Sequence, residues 1–165
     1  MPYQHKIDKN QIPKCRILDV EIAAINMNWL IKFTEENIER LSGDYMCVSN
    51  VHTTVMAFEN QNYSTVQNGG VMAIPDGAPL SFVGKRRGYE KMERTTGPDY
   101  LNEILKISRE KGYKHYFYGS TQETLNKLKS VIDEKYPGVQ IIGMYSPPFR
   151  KLTEEEDLKI IADIN

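Results

Sequence analysis

Four short apolar runs in this chain each end in a small group of polar residues. Ser49, Asn50, His52 and Thr53 close the run at 45–49, and Asp76 and Gly77 follow 71–74. Gly119, Ser120 and Thr121 follow 115–118, and Tyr145 and Ser146 follow 139–144. Each group precedes a segment of helical apolar spacing, so each stands at a helix amino terminus. Free N–H groups and the helix dipole favour anions there, and a nucleoside diphosphate suits such a rim. Asp76 is the only carboxylate in the set. It could accept a proton from a sugar hydroxyl attacking an activated carbon, which requires a base within hydrogen-bond reach of the nucleophile. Pro75-Asp76-Gly77 is also ordinary turn chemistry, and Asp is a favoured helix cap; both readings stand.

The neighbouring candidates carry the same double reading. Asn50 caps a helix well, and its amide could equally donate to and accept from a sugar hydroxyl. Arg94 precedes Thr95-Thr96-Gly97-Pro98, a helix start with Thr96 or Gly97 at the cap. A guanidinium there is either a diphosphate clamp or a solvated surface group. The Lys85-Arg86-Arg87 run reads as a solvated helix end or as a contact for phosphate or acidic lipid. His52 could exchange protons near neutral pH or could serve a cap region. His5 and His115 suggest no chemistry. Around Asp76, the residues expected to hold substrate are Asn50, Thr53, Gly77, Arg94, Gly97, Gly119, Ser120 and Tyr145. No G-x-G-x-x-G, no phosphate-loop motif, no Asp-x-Asp pair and no His/Cys cluster occurs, so neither a dinucleotide nor a dedicated metal is expected.

The elements that must position these groups alternate. Residues 16–25 read as one or two short strands forming a hairpin. A helix follows over 28–41, carrying Trp29, Leu30, Phe33, Ile38 and Leu41, and Gly43 stops it. The strand at 45–49 leads to a helix with Val51, Val55, Met56 and Phe58, and the strand at 71–74 to a helix over 78–85. Helices over 99–111, 122–136 and 153–164 alternate with the last two strands, the final one opened by a Thr153/Glu156 capping box. Tyr116, Phe117 and Tyr118 read as sheet core. Short apolar strands between helices of 10 to 15 residues imply βαβ units. The fold class is therefore α/β: a Rossmann-like parallel sheet flanked by helices, with a small amino-terminal hairpin. One domain over 16–165 follows a polar leader at 1–15, and ligands belong beyond the carboxyl ends of the strands.

Bulk properties narrow the classes. With 165 residues, 40% hydrophobic and 26% charged, the chain can bury a proper core. A formal charge of −1 argues against a nucleic-acid partner. Cys15 and Cys47 lack metal-ligand spacing, and Cys47 reads as a buried thiol in a reducing cytoplasm. No signal peptide and no apolar run of membrane-spanning length is present.

Taken in order, the motifs are more specific than any one alone. Cys47-Val48-Ser49-Asn50-Val51-His52-Thr53, Pro75-Asp76-Gly77-Ala78-Pro79-Leu80, Glu93-Arg94-Thr95-Thr96-Gly97-Pro98-Asp99-Tyr100-Leu101 and Tyr116-Phe117-Tyr118-Gly119 occur in succession. Tyr136-Pro137-Gly138 and Tyr145-Ser146-Pro147-Pro148-Phe149-Arg150 continue the series. From about residue 16 onward the chain resembles the bacterial TagA/WecG/CpsF glycosyltransferases, glycosyltransferase family 26. The resemblance implies an inverting, metal-independent transferase needing no cofactor. It would move N-acetylmannosamine or a related sugar from a UDP-sugar to a polyprenyl-diphosphate-linked acceptor, for teichoic acid, common antigen or exopolysaccharide. By position, Asp76 matches the family's proposed base, Asn50 an active-site polar residue, and Arg94 the arginine of a Glu-Arg-x-x-Gly motif. Val48 departs from a frequent family Thr.

The family's Gly-x-Pro-Lys-Gln-Glu-like motif and its carboxyl-terminal appendage lie beyond the point reached by Asn165. The resemblance therefore implies a carboxyl-terminally truncated core. In full-length form the family works peripherally at the inner, cytoplasmic face of the membrane, and a core without the appendage is expected to self-associate as a homo-oligomer. The alternative is a non-catalytic nucleotide-binding or regulatory module on the same fold. A third reading is an unrelated nucleotide-dependent α/β enzyme.

Overall fold

The computed structural model describes residues 7–164. They divide into two compact units between Asn102 and Glu103. The division falls inside a helix, Gly97–Lys111. His5 and the first part of the expected leader lie outside the described residues. The rest of that segment belongs to the fold: Ile7 and Ile12 are buried, and the first strand starts at Lys14.

In the first unit, strands β1 (Lys14–Ile17) and β2 (Val20–Ala23) form the expected hairpin, with Lys14 opposite Ala23. Helix α1 (Met27–Asn37) follows and tightens into a 3-10 turn over Ile38–Leu41. Then come β3 (Met46–Ser49), α2 (Val51–Glu59), α3 (Gln61–Gly69), β4 (Met72–Pro75), α4 (Ala78–Arg86) and the start of α5 (Gly97–Lys111). The sheet order is β1-β2-β4-β3; β2, β4 and β3 run parallel, with Ile22 beside Ala73 and Cys47 beside Ala73 on its other edge. Their carboxyl ends therefore share one edge of the sheet.

Strand side chains alternate between faces, and the core is split accordingly. Ile22 and Ala73 pack with Cys15, Val20, Ala57, Leu80 and Met92. Ala23, Met72 and Ile74 pack with Ile25 and Leu30, flanked by Trp29, Phe33 and Tyr100. Helices cover both faces, as a parallel sheet requires. The α/β class and the hairpin are as the spacing predicts. Helix α3 is additional: Asn60 both ends α2 and caps α3, its side chain accepting from Tyr63 N at 3.1 Å. Its sequence Gln61-Asn62-Tyr63-Ser64-Thr65-Val66-Gln67-Asn68-Gly69 is too polar to show helical periodicity.

The second unit contains the rest of α5, β5 (Lys114–Tyr118), α6 (Gln122–Lys135), β6 (Gln140–Tyr145) and α7 (Glu154–Ile164). Strands β5 and β6 pair in parallel as a two-stranded sheet. Leu105, Leu125, Ile132 and Ile160 are its buried apolar residues. The expected capping box opens α7: Thr153 Oγ1 accepts from Glu156 N, and Thr153 N donates to Glu156 Oε2. Arg150 grips the same carboxylate at 2.8 and 2.6 Å and, with Thr153 N, draws its pKa down to about 2.

Two burial expectations are corrected. Cys47 is only half-buried, because β3 is an edge strand; its Sγ lies 3.9 Å from Val66 O, and burial still raises the thiol's pKa. Tyr116 and Phe117 are half-buried and Tyr118 is 51% exposed, since β5 has β6 as its one strand partner. No helix among the described residues is long and apolar enough to cross a membrane.

Candidate functional site

The candidate residues fall into two groups, one in each unit. In the first unit the geometry follows from β3 and β4 ending side by side. Ser49 pairs with Pro75, and the ladder runs one bond further, Asp76 N donating to Ser49 O at 2.7 Å. A second bond from Asp76 N to Ile74 O, 3.1 Å, fixes the backbone as it leaves the strand.

The Asp76 side chain is not a helix cap. Helix α4 is capped by Gly77, with no side-chain hydrogen bond, and Pro79 occupies its first turn. Among the described residues, the half-buried Asp76 carboxylate has no hydrogen-bond or ion-pair partner. Turn chemistry therefore accounts for the backbone here and leaves the carboxylate unused.

Asn50 sits at the end of β3. Its Oδ1 accepts from Thr53 N at 3.0 Å, while its own N–H donates to Thr53 Oγ1 at 3.0 Å, a reciprocal capping box on α2. Thr53 and half of the Asn50 amide are thus committed to the helix. The Asn50 Nδ2 group has no partner among the described residues and remains a donor. A Cβ built on Gly77 would lie 4.0 Å from Asn50 Cβ, so the two strand ends meet here. Ser49 faces inward: its Oγ donates to buried Gln67 Oε1 at 2.5 Å. His52 is exposed in the first turn of α2.

Arg94 reaches this edge through the backbone. Thr95 N donates to Pro75 O at 2.8 Å, so Arg94 and Asp76 flank one hydrogen-bonded pair. The Arg94 side chain is exposed and has no partner among the described residues. Thr96 caps α5, its Oγ1 accepting from Asp99 N at 3.1 Å, so the cap is Thr96 and Gly97 is the first helical residue.

Gly97 packs on β3, where a Cβ would stand 3.3 Å from both Val48 methyl carbons. Val48 thus holds its position by apolar contact with the glycine. Gly97→Ala is expected to lose about 1–2 kcal/mol through overpacking, despite the gain in helix propensity. Thermal melts of a double-mutant cycle with Val48→Ala should show most of that loss restored; strictly additive effects would show that the contact carries no energy.

In the second unit, β5 and β6 also end together. Gly119 N donates to Tyr145 O at 2.9 Å, and Ser146 Oγ donates to Ser120 O at 2.7 Å. Gly119 takes φ +121° and Ser120 φ +60°, the left-handed region that serine enters rarely. The Tyr118 and Tyr145 rings stack at 6.0 Å. Thr121 caps α6, and the exposed Ser120 hydroxyl has no partner among the described residues. Gly119, Ser120 and Tyr145 therefore form one turn cluster beside a helix amino terminus. His115 lies at the other end of β5, 2.8 Å from Ser108 Oγ, and burial lowers its pKa.

Residues after β2 also reach the first rim. Asn26 caps α1 by accepting from Trp29 N at 3.0 Å, and Ile25 O accepts from Glu93 N at 2.9 Å. The signal was the one used for Asn50, an Asn between an apolar strand and a helical period. Among the described residues, no three His, Cys, Asp or Glu side chains converge as a metal site.

An Asp carboxylate and an amide donor, with the backbone of Arg94, lie along one sheet edge. Comparison with known proteins gives the class. A family model described as "Glycosyl transferase WecG/TagA/CpsF family" matches residues 15–165. The chain is also similar to the "N-acetylglucosaminyldiphosphoundecaprenol N-acetyl-beta-D-mannosaminyltransferase" of Bacillus subtilis strain 168, with 22% identity over 119 residues. That match covers 72% of this chain and 46% of the relative, so the chain spans about half the length of the relative it matches. With residues 15–165 matched by the family model, the chain belongs to the WecG/TagA/CpsF family of glycosyl transferases.

Proposed function

We propose that the chain forms the catalytic core of an inverting transferase that moves N-acetylmannosamine or a related N-acetylhexosamine from a UDP-sugar to a polyprenyl-diphosphate-linked acceptor. The observation that carries this reading is the Asp76 carboxylate, without a partner among the described residues, at the end of β4 near Asn50 and the Arg94 backbone. The name of the Bacillus subtilis relative supplies the sugar and the acceptor class.

Asp76 takes the proton of the acceptor hydroxyl as its oxygen bonds to the anomeric carbon. The bond from that carbon to the UDP oxygen breaks on the opposite face, so an α-linked donor yields a β-linked product. Negative charge grows on the departing diphosphate, where Arg94 and the amino termini of α2 and α4 offset it. Asn50 Nδ2 orients a sugar hydroxyl. No metal is invoked, because guanidinium and helix dipoles supply the positive charge. The lipid-linked acceptor places the work at a membrane surface, at the inner face of the cytoplasmic membrane. Exposed Val51, Phe58 and Phe82, with Lys85 and Arg86 on the same helix as Phe82, offer apolar and basic groups for that surface.

Calorimetric titration with UDP, with UMP and ADP as controls, tests the donor site. UDP-selective binding that survives EDTA is the expected result. Equal affinity for ADP, or loss of binding with EDTA, would refute the metal-independent uridine-nucleotide site. Absence of binding by all three nucleotides would favour a module without donor chemistry.

A further inference from the structure

A cleft of about 480 Å³ opens beside the Asp76 edge and takes no part in the mechanism above. Its walls include Asn26 and Trp29 at the start of α1, Pro13 before β1, and Tyr89, Glu90 and Lys91 after α4. We propose that this cleft is the saccharide subsite for the acceptor, holding the neutral pyranose whose hydroxyl Asp76 deprotonates. The inference rests on the reading of Asp76 as the base.

Position is the first argument. Strands β2 and β4 are hydrogen-bonded neighbours, with Ile22 beside Ala73. Ile25 follows the end of β2 and Asp76 the end of β4, so both lie at the same edge of the sheet. The segment 93–95 ties the two ends together, Glu93 N to Ile25 O and Thr95 N to Pro75 O. A sugar seated against Asn26 thus lies one strand over from the carboxylate.

The lining is the second argument. The volume falls within the range of small-molecule sites, and the walls combine aromatic surface with a few polar groups. Half-buried Trp29 is held by a ring stack on Phe33, centroids 5.0 Å apart, and Tyr89 is 37% exposed. Aromatic surfaces of this kind accept the C–H face of a pyranose. The hydroxyl edge needs donors and acceptors. Asn26 Oδ1 is used by the helix cap, while Asn26 Nδ2, the Glu90 carboxylate and the Lys91 ammonium have no partners among the described residues.

Charge is the third. Glu90 and Lys91 sum to zero, so the lining offers an anion no net attraction. The donor nucleotide is drawn instead to Arg94 and the helix termini, and the cleft suits an uncharged ring whose own diphosphate lies outside it.

Trp29 is the sole tryptophan of the chain, so its fluorescence reports on this cleft directly. The probe is N-acetylglucosamine joined through diphosphate to a farnesyl chain, with farnesyl diphosphate and UDP as controls. The sugar-bearing probe is expected to shift and saturate the emission, whereas both controls leave it unchanged. Tyr89→Ala and Asn26→Asp should each weaken that binding at least about tenfold. The first removes an exposed ring, and the second keeps the capping oxygen while deleting the amide donor, so melting temperatures should stay close to wild type. A flat titration, an equal response to farnesyl diphosphate, or wild-type affinity in both variants overturns the proposal. Asp76→Asn separates the two readings. If it keeps turnover while Trp29 still reports the sugar, the base is wrong and the subsite stands. If it abolishes turnover while the emission stays flat, the subsite is wrong and the base stands.

Discussion

Asp76→Asn is expected to lower kcat by about 10²- to 10⁴-fold while UDP affinity and melting temperature stay near wild type. The structural reason is that the carboxylate holds nothing else together. Its backbone N–H bonds to Ser49 O and Ile74 O survive the substitution, and α4 takes no cap from the side chain. A surface change that removes no partner usually alters stability by less than about 0.5 kcal/mol. Asn preserves shape and hydrogen-bonding reach but cannot take up the acceptor proton. Turnover should therefore fall while KM for the donor moves little, the signature of an interaction made only in the transition state. Turnover and UDP binding are to be measured on the same sample. Wild-type turnover would dismiss Asp76 as base, and a large fall in stability would show a structural role that its environment does not suggest.

The fold was legible where local chemistry and topology agree. Asn50 and Thr96 act as caps, one of the two uses their place ahead of an apolar helical period allows, and the hairpin at β1–β2 follows from the alternation within 16–25. The site was legible to the level of strand ends, since parallel strands deliver their carboxyl termini to one edge. Whether Asp76 is a cap was not legible: Asp-Gly before a helix suits either use, and the answer depends on where one carboxylate points. Helix α3 escaped because its stability comes from packing, with Ser64 and Gln67 buried and Gln67 bonded to Ser49 and Tyr63. The half-buried states of Cys47 and Tyr116 escaped for a related reason. Burial depends on how many strands lie alongside, which is a property of sheet order and not of the apolar run itself. The cleft at Trp29 needed three segments distant in sequence, 13, 24–29 and 88–91, to meet. Read alone, Trp29 looks like helix packing, which its stack on Phe33 also makes it.

Arg94 yields the second large effect and separates donor from acceptor. Its backbone is anchored by the Thr95 N to Pro75 O bond and its side chain is exposed without a partner among the described residues, so Arg94→Ala should leave the melting temperature unchanged. A guanidinium on a diphosphate makes charge-assisted bonds of about 1.5–3 kcal/mol, so UDP affinity should fall roughly 10- to 150-fold. Lys restores the charge but not the planar fork, and Arg94→Lys should recover only part of the loss. Because the contact is electrostatic and solvent-accessible, the wild-type advantage should shrink as ionic strength rises. UMP, lacking the second phosphate, should feel the substitution less than UDP. The Trp29 titration with the sugar-bearing probe should be indifferent to it, since the cleft holds the neutral ring. If Arg94→Ala binds UDP as tightly as wild type, the diphosphate is held by other groups.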